Sequence, residues 1–279
     1  MSETSFAELY KQRYGEKLPG ELDGPIAPGV ANILNRRVVR QLESTPIDDG
    51  VMTQLLACAQ SAPTKSDLQQ YGIIIVEDSA KRETIHSWIP NMPFIATAGA
   101  FLVFCGDIRR NRRLGEIREH PHVNDNLDSF FNATVDGTLA MQCFILAADA
   151  AGLACTPVSY VRNHASKLAQ LLSMPEGVFP IAGLAVGYPK WGGKHSMRLP
   201  QSVVVHRDAY DDADMPEEVA SYDERRHADD PIPPEKQRHT DRYGVSDNCT
   251  WSEQISRQLS LPEREDFRAF IESQGFSLR

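Results

Sequence analysis

The order of segments along the chain predicts an α+β fold: helix signals, then strand signals, then helix signals again. Three stretches carry the strand prediction, YGIIIVED (71–78), GAFLVFCGD (99–107) and PIAGLAVGYP (180–189), with SVVVH (202–206) as a fourth. Each is rich in β-branched or aromatic residues and short enough for a strand. The first three are nearly continuous apolar runs, which implies that both faces of the sheet are covered. The remaining observation is LDSFFNATVDGTLAMQCFILAADAAGL (127–153), apolar almost all round and closed by Gly152. Such a helix is expected at the centre, packed on the sheet or on a second subunit.

The other elements follow in order. Residues 1–30 read as one short helix and an arm rich in Pro19, Gly20, Gly24, Pro25, Pro28 and Gly29, a composition that favours an extended connection. After Pro46, IDDGVMTQLLACAQSA opens on aspartates suited to capping and repeats apolar residues at i, i+3 and i+4. This predicts an amphipathic helix that stops at Pro63. Residues 208–247 are acidic, polar and Pro-rich, a long excursion before the last helices. These shifts divide the chain into an N-terminal helix and arm (1–30), a core (31–207), and an excursion with C-terminal helices (208–279).

Composition limits the function. Lys and Arg total 29 against 38 Asp and Glu, a net charge of −9, so a general affinity for nucleic acid or a membrane surface is not expected. Any anion site must be local. Cys58, Cys105, Cys143, Cys155 and Cys249 are widely spaced, odd in number and form no CxxC pair, which points to neither a disulfide framework nor zinc. A polar N-terminus and an apolar run (93–106) too short to span a bilayer complete the expectation of a soluble, cytoplasmic protein. His120 and His122, with Asp125 nearby, lack further spaced ligands, so no metal site is predicted.

The segment ILNRRVVRQLESTPID (33–48) concentrates Arg36, Arg37 and Arg40. If it begins helical, Arg36 and Arg40 share a face while Arg37 projects about 100° away. Two readings stay open: a phosphate clamp, because guanidinium groups present paired donors to phosphate oxygens, or a solvated face paired with Glu43, Asp48 and Asp49. A second basic run, DIRRNRRLGEIREH, has no interleaved aromatic residue and reads as a solvated helix or loop. No G-x-S-x-G, P-loop or G-x-G-x-x-G follows any strand. The residues alone therefore stop at an α+β protein with a possible anion site.

An ordered set of segments carries a resemblance: RRVVRQLESTPI, SAPTKSDLQ, AADAAGLACTPVSYVRN, FPIAGLAVGYP, RLPQSVVVHRDAY, YDE, TWSEQI and FIESQGF. Over residues 30–279 the chain resembles the FMN-dependent nitroreductase superfamily, in its branch of oxygen-insensitive nitroreductases and NADPH–flavin oxidoreductases. The resemblance implies a mixed central sheet wrapped by helices in an intertwined, obligate homodimer, with FMN at the subunit interface. It also implies reduction by NADPH or NADH, with electrons passed to a nitroaromatic, quinone or related small acceptor. Arg37 and Arg40 match the family's phosphate-binding arginines, with Arg36 in the place of a histidine, and Arg198 of RLP matches another. Thr64, Lys65 and Ser66 lie in the turn that contacts the flavin ring, and Val158, Ser159 and Tyr160 replace a glycine-bearing stretch beneath it. Arg242 and Arg264 fall where relatives carry arginines that interact with NADPH; the other reading is a solvated C-terminal arm.

Departures also matter. Val38, Met92 and Ser196 replace a serine, a glutamine and a lysine, removing donors near the cofactor. Ser159 and Tyr160, where backbone normally approaches the ligand, imply a reshaped substrate pocket. The alternatives are a specialised flavoenzyme of the same fold acting on one metabolite, or a non-enzymatic flavin-binding protein. No general acid or nucleophile is assigned, because the redox chemistry belongs to the flavin.

Overall fold

The computed structural model describes residues 5–20 and 24–278; Glu21, Leu22 and Asp23 of the arm lie outside the described residues. The helices are α1 (Phe6–Tyr14), α2 (Pro28–Asn35), α3 (Asp49–Gln60), α4 (Ser79–Trp88), α5 (Phe94–Thr97), α6 (Arg109–Arg118), α7 (Leu127–Ala150), α8 (Ala165–Leu171), α9 (Gln201–Val204), α10 (Met215–Asp229), α11 (Thr240–Tyr243), α12 (Trp251–Leu259) and α13 (Phe267–Ser273). The strands are β1 (Tyr71–Ile75), β2 (Ala100–Asp107), β3 (Ala154–Val158) and β4 (Val178–Gly187), in sheet order β1-β2-β4-β3. All three strand pairings are antiparallel, which corrects the expected mixed sheet: neighbouring strands alternate in direction throughout. Among the described residues the one parallel contact is the isolated bridge Asn126–Ser277.

Contacts group the chain into two units, Met1–Asn35 with His195–Glu263, and Arg36–Lys194 with Arg264–Arg279. The composition-based cuts at 30/31 and 207/208 fall elsewhere. In the first unit, side chains tie α1 and α2 to residues 195–197; in the second, Phe270, Ile271 and Phe276 belong to the hydrophobic core.

That core explains the second unit. The central strands β2 and β4 are buried along nearly their whole length, and apolar clusters cover both faces of the sheet. Pro180 sits in a central strand because the β2–β4 register shifts between Phe104 and Cys105, and a bulge tolerates the missing N–H. Strand β3, which no continuous apolar run announces, carries Pro157 and is an edge strand. Helix α3 starts as its pattern predicts: Asp48 accepts from the N–H of Gly50 at 2.8 Å. Helix α7 is capped by Asn126 and followed by Gly152 at φ 77°. It has the length and apolar content of a membrane span, yet it buries Ala133, Gly137, Ala140, Phe144 and Ala148. Gly137 allows the close approach, since a Cβ there lies 2.3 Å from Ile181 Cδ1 and 3.1 Å from the Cys105 carbonyl.

Two local expectations are corrected. SVVVH is not a strand: α9 occupies Gln201–Val204, and Val204 and Val205 are exposed. β-branched residues favour a strand only where a neighbour supplies the ladder. Nor do Arg36 and Arg40 share a helical face, because α2 ends at Asn35 and residues 36–40 have no regular structure. They are held instead by the Thr156 hydroxyl donating to the Val39 carbonyl at 2.6 Å and by the Leu42–Pro189 bridge.

Candidate functional site

In the second unit the cationic segment lies beside the C-terminal end of α7. Arg36 and Arg37 are half-buried and Arg40 is exposed. The Arg37 side chain donates to the Gly192 carbonyl, and Gly193, at φ 70°, packs closely on the same segment, since a Cβ there lies 2.9 Å from Val39 Cγ2. Gly192 and Gly193 thus back Arg37. Asp149 is their acidic neighbour. Burial pushes its pKa up to about 6, with Arg36 and Arg37 opposing the rise, and its Oδ2 is buried with no hydrogen-bond partner. Burial also raises the Cys155 thiol, with Asp149 adding to the rise and Arg36 opposing it.

The turn carrying Thr64, Lys65 and Ser66 is a separate construction. Ser66, Asp67 and Gln69 all have positive φ, at 49°, 58° and 51°, a conformation that non-glycine residues hold only when the surroundings enforce it. Asp136, fully buried on α7, does so: Oδ1 accepts from the Lys65 N–H at 2.8 Å and Oδ2 from the Gln70 N–H at 3.0 Å. Lys65 Nζ donates to Ser66 Oγ at 3.0 Å, and residues 65–69 are exposed. The sequence held one signal for Asp136: a carboxylate in the middle of a long, mostly apolar helix. Along the far side of this turn runs a cavity of about 740 Å³, lined by Leu56, Leu68, Tyr71, Ile73, Arg110 and Asn111.

Arginines and turn are not brought together within the unit. Asp136 and Asp149 stand thirteen residues apart on α7, and at 1.5 Å rise per residue that is roughly 20 Å along the axis. Val158 is buried and pairs with Gly183, so its side chain belongs to the core, while Ser159 and Tyr160 are exposed, Tyr160 by 44%. Met92 packs against the core. Arg264 is half-buried, at φ 57°, and donates to Asn163 Oδ1 at 2.7 Å. Its charge joins burial in lowering the pKa of Arg162. His122 lies 3.2 Å from Asp125, which also accepts from Arg112.

In the first unit Arg198 is exposed on a cavity of about 430 Å³ whose other walls include Tyr14, Met197, Tyr222, Arg226 and Trp251. Its Nη1 donates to the Ser196 carbonyl at 3.1 Å. Arg242 is exposed on α11, its guanidinium 5.5 Å from the centre of the Tyr243 ring.

The donor set around residues 36–40 suits a phosphate-bearing cofactor. Three guanidinium groups stand within five residues, two of them, Arg36 and Arg37, beside a carboxyl that burial disfavours as an anion, and guanidinium donors match the oxygens of a compact polyanion. The exposed Lys65 ammonium and Ser66 hydroxyl, with the half-buried Thr64 hydroxyl, suit a polar ring edge.

Comparison with known proteins agrees with this architecture. A sequence model of the nitroreductase family matches residues 33–188, and one of the family's C-terminal domain matches 196–279. A Bacillus subtilis protein named FMN reductase (NADPH) is 29% identical over 254 residues, covering 89% of this chain and 98% of its own. The solved structure of NfrA1 from B. megaterium superposes with a TM-score of 0.80 at 30% identity, covering 90% of this chain and 99% of its own. That of the NADPH:FMN oxidoreductase from Vibrio harveyi, complexed with NAD+, gives 0.79 at 26% identity, covering 90% and 99%. With a family model spanning more than half of its residues, the chain belongs to the nitroreductase family.

Proposed function

We propose that this chain is an FMN-dependent oxidoreductase that draws reducing equivalents from NADPH or NADH and delivers them to a nitroaromatic, quinone or related small acceptor. The observation that carries the reading is the concentration of guanidinium groups beside Asp149 in a chain of net charge −9. The names of the relatives support it, among them FMN reductase [NAD(P)H], CR(VI) reductase and oxygen-insensitive NADPH nitroreductase.

When bound, FMN would supply the redox chemistry between nicotinamide and acceptor. The chain's residues bind and orient. Arg37 and Arg40 would neutralise the phosphate. Arg36 or Lys65 places positive charge near the ring edge where negative charge grows on reduction. Thr64 and Ser66 offer hydroxyls to the ring, and the backbone of Val158, Ser159 and Tyr160 forms its support.

The separation of roughly 20 Å along α7 favours a homodimer in which the turn of one copy serves the arginines of the other. Two surfaces are available for it: the exposed stripe Leu127, Phe131 and Val135 on α7, and the outer edge of β1, which pairs with no strand in the chain among the described residues. A cytoplasmic setting accords with five free cysteines.

The test is the visible spectrum of the purified chain with FMN before and after anaerobic NADPH or NADH. Flavin absorbance that bleaches on addition is expected. A chain that takes up no FMN overturns the reading, and one that binds it but resists bleaching is a flavin-binding protein instead.

A further inference from the structure

The cavity of about 430 Å³ in the first unit is walled entirely by that unit's own residues. Its size falls in the lower part of the range of roughly 300–1,000 Å³ typical of small-molecule sites, which suits a molecule of one or two fused rings.

The floor is aromatic and already assembled. Tyr222 on α10 is 1% exposed, and its hydroxyl donates to the Met197 carbonyl at 3.1 Å. The Trp251 ring meets it edge to face, with 5.3 Å between centres, and the Arg226 guanidinium lies 5.8 Å from the centre of the Tyr222 ring. Tyr14, at the end of α1, adds a third ring, set 4.4 Å from that of the buried Tyr10. Rings held in this way present apolar faces and lose little freedom when a flat molecule enters. Val204 and Val205 also line the cavity, so the β-branched run that forms no strand supplies apolar wall instead. Tyr14 precedes residue 33, where the match to the nitroreductase family begins, so one wall lies outside the family-matched segment.

The charges fix the sign of the occupant. No aspartate or glutamate lines the cavity, although the chain has 38 of them, whereas Arg198 and Arg226 both do. Arg226 donates through Nη1 to the Tyr222 hydroxyl at 2.6 Å and so belongs to the floor. Arg198 is exposed, with its backbone N–H donating to the Arg13 carbonyl at 2.8 Å and its Nη1 to the Ser196 carbonyl at 3.1 Å. The Nε–Nη2 edge remains, two parallel donors whose spacing matches the two oxygens of a carboxylate.

We propose that this cavity binds an aromatic carboxylate, its ring held among Tyr14, Tyr222 and Trp251 and its carboxylate on the guanidinium of Arg198. The proposal does not depend on the FMN reading.

The probe is 2-naphthoate, with uncharged 2-naphthamide as its match in shape. Each is titrated into the full chain, with and without FMN, by calorimetry and by tryptophan fluorescence. Saturable binding of 2-naphthoate is expected, about tenfold tighter than that of 2-naphthamide, the worth of one charge-assisted contact. Trp251→Phe should abolish the fluorescence change, since Trp88 and Trp191 do not line the cavity. Arg198→Gln, at an exposed position, should weaken 2-naphthoate about tenfold and leave 2-naphthamide unchanged, and Arg198→Lys, which keeps the charge without the paired edge, should recover only part of the loss. Tyr14→Ala should weaken both probes. Absence of saturable binding, equal affinity for acid and amide, an unaltered Arg198→Gln variant or displacement of 2-naphthoate by FMN overturns the proposal. A chain that binds 2-naphthoate but takes up no FMN overturns only the FMN reading.

Discussion

The two units are stabilised by opposite means. In the unit built on the sheet, β2 and β4 run between two apolar clusters, and buried polar side chains such as Gln70, Asp136 and Thr156 are few and mostly assigned to holding loops. In the unit built on α1, α10 and α12, buried apolar side chains such as Leu9, Tyr10, Tyr222 and Cys249 are matched by Arg13, Asp223, Gln237 and Arg257. Apolar burial is non-directional and tolerates adjustment, whereas a guanidinium between carbonyls works only in one geometry. The difference teaches where each unit is vulnerable: the helical one to losing a single polar partner, the sheet-bearing one to losing the supports of its loops.

Arg257→Ala should give the largest effect. Arg257 is 5% exposed and donates to Glu253 at 2.6 Å and to the Gly244 carbonyl at 2.8 Å, with the Tyr243 ring beneath it. Glu253 is 45% exposed and regains water, so the cost is that of the lost burial and the unpaired Gly244 carbonyl, about 3 kcal/mol. Amide hydrogen exchange should show that loss in residues 236–259 while β2 and β4 keep their protection; equal loss in both regions would mean that the units do not differ as described.

Asp136→Ala comes next. The N–H groups of Lys65 and Gln70 lose their acceptor, at a cost of about 1–3 kcal/mol. Limited proteolysis should then cut at 65–69 first, with the sheet still folded, and FMN affinity should fall if that turn serves the cofactor.

Asp149→Asn should have the smallest effect, with opposite sign. The folded pKa is raised from 3.8 to about 6, so the protonated form is favoured in the folded chain. Its contribution is present below pH 4 and is lost as pH rises through 6. The shift corresponds nominally to about 3 kcal/mol, reduced to about 1 because the group is half exposed to solvent. Thermal melts should find the variant more stable than the parent at pH 7 and flatter between pH 4 and 6; an unchanged profile would remove Asp149 from the account.

Much of the sheet-bearing unit is legible in the sequence. Nearly continuous apolar runs at 71–78, 99–107 and 180–189 fit short strands covered on both sides, and the apolar helix at 127–153 is expected to pack centrally. Strand β3 is hidden because Pro157 argues against a strand unless the position is known to be an edge, and SVVVH misleads because a β-branched run is neutral until a partner strand exists. For the site, the identities of the arginines and of the hydroxyl-bearing turn are readable, since guanidinium and hydroxyl chemistry travels with residue type.

What the sequence determined by itself is the inventory: which segments must be buried, and which side chains can meet an anion. What only the tertiary structure decided is their placement. It gave Arg36 and Arg37 the neighbour Asp149, set the turn at Asp136 farther along the same helix, and fastened Arg198 to α1 through Arg13. The physical reason is range: periodicity and propensity act over a few residues, whereas these bonds join groups separated by 71 and 183 positions or fix an environment that only packing creates.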